Sequence, residues 1–456
     1  MLTEARFDLF TRNAFLGGVH DAQARALLHG HWDVPASTLG IEAFKIDGRY
    51  YTYFGPWPTL LRMPVVALTH RLDGRLTVVS MIVACVVALA ATSSVHRQLR
   101  EALRPDAPFG RSEALWVGAF QFAVAMGSVV TFLGSRPLVY HEMELWGVAG
   151  ALTTAATSIA FLRRQSVRSA LLLGGAATIT LLSRPSVGFG AVVTVGLVFL
   201  GALRGRTVAR DRRIVVALAA AAAVPVLLYG ATNVARFGGP FSLPLDKQVF
   251  TTGDPATGLP ADTLRQAALA ANGDSLFGVK FAPTTLLQYG RPNALRFQSS
   301  FPWVNFPRWR AHVLGGVVFD TIDRSSSIPA SMPGFTLLAC FGVVALVRGR
   351  RGSPLHPSRI VLPSVVGGAA GTVFVITIAY VAQRYLADFF PPLLVLALVG
   401  VQALALRPNR RVVTAVIAVC IVGTWIGFGL ARVYQHNLRP GDPDWGRGTR
   451  TISSTR

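Results

Sequence analysis

The chain has 456 residues, of which 52% are apolar and only 14% charged, and its formal net charge is +22. So small a charged fraction, with the apolar residues gathered in long blocks, excludes a soluble globular protein and predicts an all-α polytopic membrane protein. The positive excess is almost all Arg, clustered in short loops between apolar runs rather than spread over a folded face, which argues against a nucleic-acid-binding protein.

The chain opens without a signal peptide, because residues 1–20 lack an apolar core of the required length. The stretch Gly17–Pro64 is its most polar part. It carries Asp21, Gln23, Arg25, His29, His31, Asp33, Glu42 and Asp47, then the aromatic run Tyr50-Tyr51-Thr52-Tyr53-Phe54. A loop that only joined helices would not need so many hydrogen-bonding side chains, and the stretch reads as one wall of an active site. Residues 58–70, PTLLRMPVVALTH, are too short and too interrupted by Pro64 to span a bilayer, and predict a helix lying along its surface.

Ten apolar runs follow that fit spans of about 20 residues. They cover 76–94, 114–134, 143–162, 169–183, 186–203, 214–232, 332–347, 360–382, 389–406 and 412–433. The loops 95–113, 163–168, 204–213, 348–359 and 407–411 hold nineteen Arg between them, whereas those around Arg136, Arg184 and Arg384 hold one each. The positive-inside rule makes the first set cytoplasmic and the second outward-facing. Residues 1–75 and the long segment 233–331 then lie on the outer face. The tail 434–456 emerges there too, although Arg447, Arg450 and Arg456 argue the other way. An outer segment with no helix before it predicts that Met1 is an internal start or that a first helix precedes this sequence.

Within 233–331, LPADTLRQAALAANG reads as a short amphipathic helix with Asp262 near its start and Gly273 past its end. FPWVNFPRW, 301–309, suits the headgroup level favoured by Trp. Cys85, Cys340 and Cys420 all fall in apolar runs, so neither a disulfide nor a thiolate metal site is expected.

The stretches DAQARALLHGHWDVP and DGRYYTYFGPWPTLLRMP, with RFGGPF at 236–241 and QRYLADFFPPLL at 383–394, resemble members of the GT-C superfamily of actinobacterial type. These are integral-membrane glycosyltransferases that use polyprenyl-phosphate sugars. The resemblance covers most of the chain through short motifs. It implies a catalytic carboxylate in the first outer loop, at Asp21, and a lipid-linked donor. The missing first helix departs from the pattern, since that helix would hold the Asp in place.

The chemistry such an enzyme performs needs a base to take the acceptor hydroxyl proton and cations to hold the departing phosphate. Asp21 is the candidate base, against the plainer reading of a loop or capping Asp. Gln23, Arg25 and Tyr53 stand beside it as candidates for substrate binding. His141-Glu142-Met143-Glu144 offers hard oxygen ligands and a His for a divalent metal, Mg or Mn. The plainer alternative is that the two Glu cap their helix and pair with Arg136. Arg384 with Tyr385, and Arg236, are candidate phosphate clamps because Arg grips phosphate through two parallel hydrogen bonds.

These readings converge on a multi-pass cell-membrane glycosyltransferase with an extracytoplasmic site. Its partners would be a polyprenyl-phosphate sugar donor, a glycan, lipid or protein acceptor, and membrane lipids. A transporter or flippase of lipid-linked sugars is the competing class, and a non-catalytic assembly partner a third. Transporters usually place charge at mid-membrane, whereas here the acidic groups gather at one side.

Overall fold

A computed structural model describes residues 7–12, 16–204, 211–348, 357–406 and 409–436. The chain is an all-α polytopic membrane protein. In lipid every backbone N–H and C=O must bond within its own segment, so each apolar block becomes a helix. Spans one to six are Thr77–Leu103, Arg111–Met126, Val139–Arg163, Val167–Ser183, Pro185–Leu203 and Arg212–Phe237. Spans seven to ten are Pro333–Arg348, Pro357–Ile376, Leu386–Leu406 and Arg410–His436. Among the described residues seven helices are long and apolar enough to cross a membrane, and spans four and seven are shorter apolar helices.

Two boundaries differ from the sequence reading in ways that matter. Span two does not run unbroken to 134. It stops at Met126 and restarts as Val129–Leu133, with Ser128 accepting from the Val130 N–H at 3.1 Å. The break lies where span ten comes closest, since a Cβ on Gly127 would meet the Thr424 backbone. Span three begins at Val139 rather than 143, so His141, Glu142 and Glu144 lie inside its first turns.

Span three is the centre of the bundle. Its Leu145, Val148, Ala149 and Leu152 are fully buried, in one apolar cluster with Ala84 and Ala88 of span one and Phe390 and Leu394 of span nine. Spans four, five and six form a second cluster around Leu173, Val195 and Leu218. At the Arg-rich end, Glu113 draws Arg100 and Arg104 together at 2.9 and 2.6 Å.

Residues 16–76 and 238–327 cover the opposite end. Helix Val19–Leu28 packs on helix Trp57–Leu68, the surface helix expected from 58–70. Between them Phe44–Ile46 and Arg49–Tyr51 pair antiparallel across Asp47-Gly48, both at positive φ, as a two-residue hairpin turn requires. The second segment has no sheet-sized core of its own. Its helix Thr263–Ala271 is capped by Asp262, and its strand Thr321–Ile322 pairs parallel with Tyr380–Val381 just ahead of span nine. The tail from residue 437 lies outside the described residues.

Candidate functional site

The sequence-derived residues separate into a closed cluster and an open one, both at the end covered by the two loop segments. The closed cluster is centred on Arg62, which is 3% exposed. It donates to Asp21 Oδ1 at 3.2 Å and to both oxygens of Glu142 at 2.7 and 2.8 Å. The other Asp21 oxygen accepts from the Gly74 N–H at 2.5 Å. Burial pushes the Asp21 pKa up, and Arg62 and the Gly74 N–H act against that rise. A general base must reach the proton that it takes. With both oxygens engaged and 2% exposure, Asp21 is placed here to fix helix Val19–Leu28 to Arg62 rather than to face a substrate.

Its neighbours are equally committed. Gln23 accepts from the Thr59 hydroxyl at 2.7 Å. Arg25 holds Asp73 at 2.7 Å together with the Val66 and Thr69 carbonyls. Arg236, expected to clamp phosphate, instead donates to the Thr52 and Phe54 carbonyls at 3.0 and 2.9 Å and is 3% exposed. It locks the end of span six to the aromatic run. Tyr53 donates to Glu42, which also accepts from Tyr140 at 2.5 Å and from Gln248.

The expected metal ligands do not converge. Successive helical residues turn by about 100°, so Glu142 and Glu144 point roughly 200° apart. Glu142 faces Arg62, Glu144 faces Arg184 and Arg384, and His141 contacts the Leu133 and Arg136 carbonyls through Nδ1. Among the described residues no group of three His, Cys, Asp or Glu could hold a metal ion. Nor do the two Glu pair with Arg136. Their partners come from elsewhere in the chain.

The open cluster is a line of alternating charge. Asp388 binds Arg184 at 2.7 Å, and Arg184 meets Glu144 at 3.1 Å. Glu144 meets Arg384 at 3.4 Å, and Arg384 lies 4.0 Å from Asp323. Side-chain exposure rises from 0% at Asp388 to 18% at Arg384 and 31% at Asp323. The Arg384 guanidinium is ringed by Tyr140, Tyr380 and Tyr385, with centroids 5.2, 5.4 and 5.1 Å away. Arg310 and Arg324 interact electrostatically with each other, and Arg310 with Asp323. Arg136 lies over the Tyr434 ring at 5.4 Å. Tyr434 in turn feels Arg384 and Asp323. Five Arg against three carboxylates leave this basin net positive.

Within the bundle runs an apolar groove of about 1300 Å³ between spans one, two, seven, nine and ten, with Arg104 and Glu113 of the Arg-rich end in its lining. It follows span ten from Val413 to Phe428, roughly 22 Å at 1.5 Å per residue. Met332 lines this groove and also a small cavity with Phe132, Gly427 and Gln383.

Arg62, Arg310, Arg324 and Asp323 escaped the sequence reading. Arg62 carried a visible signal, because an Arg in the middle of an apolar helix must find a carboxylate. Asp323 carried none: only the 321–322 and 380–381 pairing brings it to Arg384.

No family model matches the sequence, and no curated protein matches it. Among solved structures the chain aligns with the oligosaccharyltransferase AglB of Archaeoglobus fulgidus, solved with an inhibitory peptide and a dolichol-phosphate. The TM-score is 0.48 at 13% identity, over 94% of this chain and 53% of that one. The chain thus spans about half the length of that enzyme. A likeness at that score carries no argument about activity.

Proposed function

We propose that this protein is a GT-C-type membrane glycosyltransferase that moves a sugar from a polyprenyl-phosphate donor to a cell-envelope acceptor on the extracytoplasmic face. The observations that carry this reading are a net-positive basin around Arg384 and, in the same bundle, an apolar groove of about 1300 Å³. A phosphate on an isoprenoid tail needs both at once: cations for its head and an apolar channel for its tail. The distribution of Arg among the loops supports an outward-facing basin.

In this reading Arg384 grips the donor phosphate and stabilises the charge that develops as the sugar leaves. Arg136, Arg310 and Arg324 raise the local potential. Tyr140, Tyr380 and Tyr385 hold the guanidinium in place and offer ring faces to a sugar. Glu144 and Asp388 fix Arg184 and Arg384 from below. The closed cluster of Asp21, Arg62 and Glu142 ties the first loop to span three and keeps the basin's floor rigid.

Transport is disfavoured by where charge sits. Between their two ends the spans carry no Asp, Glu, Lys or Arg, so no charged side chain waits at mid-depth for a cargo. The test is photocrosslinking of a polyprenyl phosphate bearing a tail diazirine to the protein in proteoliposomes. Labelling of groove residues such as Trp116 and Ile417, competed by unlabelled polyprenyl phosphate, is expected. Labelling spread evenly over the lipid-facing surface and unaffected by competitor would contradict the reading.

A further inference from the structure

The groove changes character where it meets the Arg-rich end of the bundle. Most of its lining is apolar, but there it takes in His96, Arg104, Ser112 and Glu113. His96, Arg100 and Arg104 follow one another at intervals of four residues, which sets them along one face of span one. Glu113, the one carboxylate in the lining, is shared by Arg100 and Arg104 at 2.9 and 2.6 Å. Two guanidinium groups on one carboxylate leave a positive charge over.

Two further features of this end call for a ligand. His96 is 7% exposed, and its Nε2 is buried without a hydrogen bond among the described residues. A polar atom buried in that way is costly, and this one belongs to a side chain that lines the groove. Span two also starts here. Its N-cap is Gly110, so no capping side chain covers the first N–H groups of the helix. Gly110 and Ser112 both line the groove, and a helix start of this kind favours an anion. From there the apolar part follows span ten for roughly 22 Å at 1.5 Å per residue. The acyl chains of one leaflet cover about 15 Å, half of a hydrocarbon core of about 30 Å, and they fit within that length. An anion at one end and hydrocarbon along the rest are what a phospholipid with a net negative headgroup offers in one molecule.

We propose that the Arg-rich end of the groove binds the phosphate of an anionic phospholipid from the leaflet at that end, with its acyl chains lying in the groove. Arg104 and the start of span two hold the phosphate, and His96 Nε2 meets the polar atoms just below it. The site lies at the opposite end of the bundle from the Arg384 basin and does not depend on the donor reading. With its chains in place, the phospholipid leaves less of the groove to a donor tail.

The test reconstitutes the full chain in phosphatidylcholine vesicles doped with a photoreactive lipid, either phosphatidylglycerol or phosphatidylcholine. Each probe carries a diazirine on an acyl chain next to the glycerol. The phosphatidylglycerol probe is expected to label Ser112, Trp116 and Val413 about fivefold more than the other, the worth of one unpaired Arg to an anionic lipid. Arg104→Gln should remove that preference, and inorganic phosphate should displace no more of the label than chloride at equal ionic strength. Equal labelling by the two probes in the wild type would overturn the site, whether or not the variant folds. A preference kept by folded Arg104→Gln would overturn it too, as would label concentrated at Trp425 and Phe428, at the far end of the groove. Specific displacement by inorganic phosphate would replace the lipid with a free anion and overturn the proposal.

Discussion

Arg62 serves two carboxylates in a place that admits almost no water. Removing it would leave Asp21 and Glu142 buried beside each other without a cation. Breaking such a pair from one side costs about 3–5 kcal/mol, far more than the intact pair contributes. Arg62→Met is therefore expected to lower the thermal midpoint steeply in detergent. Adding Asp21→Asn and Glu142→Gln should recover part of the loss, and a triple variant no better than the single would count against the pairing. Asp254 gives a pH-dependent counterpart. It accepts from Lys45 at 2.7 Å and Tyr50 at 2.8 Å, and these bonds hold its pKa down at about 2. A depressed folded-state value means that the stabilisation is complete above the unfolded carboxylate pKa, about 4. It is lost as pH falls from there toward 2. The wild-type midpoint should fall across that window more than that of Asp254→Asn; parallel profiles would contradict the assignment. At this scale the sequence was partly legible. The polar first loop was visible as a concentration of charge, but its partners were not. Arg62 and Glu142 are 80 residues apart and Arg184 and Asp388 are 204 apart, separations that no local pattern reports.

Spans seven and nine show why helices meet where they do. A Cβ on Gly342 would collide with the Leu396 carbonyl, and one on Gly400 with the Leu338 carbonyl, so the two glycines face each other across the crossing. Small residues let membrane helices approach closely and gain packing that lipid cannot replace. Gly400→Val should force the helices apart and cost about 3 kcal/mol, read as a lower thermal midpoint; an unchanged midpoint would show that the crossing is loose. Hydropathy located both helices, because a bilayer leaves an apolar block no alternative to helix. It did not show the break in span two, where a close approach by span ten at Gly127 decides. The start of span three was also hidden. Hydropathy places a span where apolar residues begin, whereas this helix begins four residues earlier, among polar side chains satisfied by Arg62, Arg184 and Arg384.

In the whole molecule, ionic clusters and apolar packing lie at different levels. Ten helices, seven of them long and apolar enough to cross a membrane, build a bundle whose interior is apolar, and every ionic cluster described lies near one of its two ends. At one end Arg100 and Arg104 gather on Glu113. At the other, two long segments wrap a shared floor and leave the Arg384 basin partly open. That division was legible from Arg distribution and block hydropathy, because topology depends on sums over loops rather than on single contacts. The composition of the basin was not, since it joins spans three, four and nine to a strand of the second segment. The measurement that reaches the central claim is sugar transfer from a panel of radiolabelled polyprenyl-phosphate sugars by reconstituted wild type and Arg384→Gln. The account predicts that the wild type consumes at least one donor and that the folded variant loses about 100-fold or more of that rate. Transfer at the wild-type rate by Arg384→Gln, or no transfer by the wild type from any donor, would contradict it.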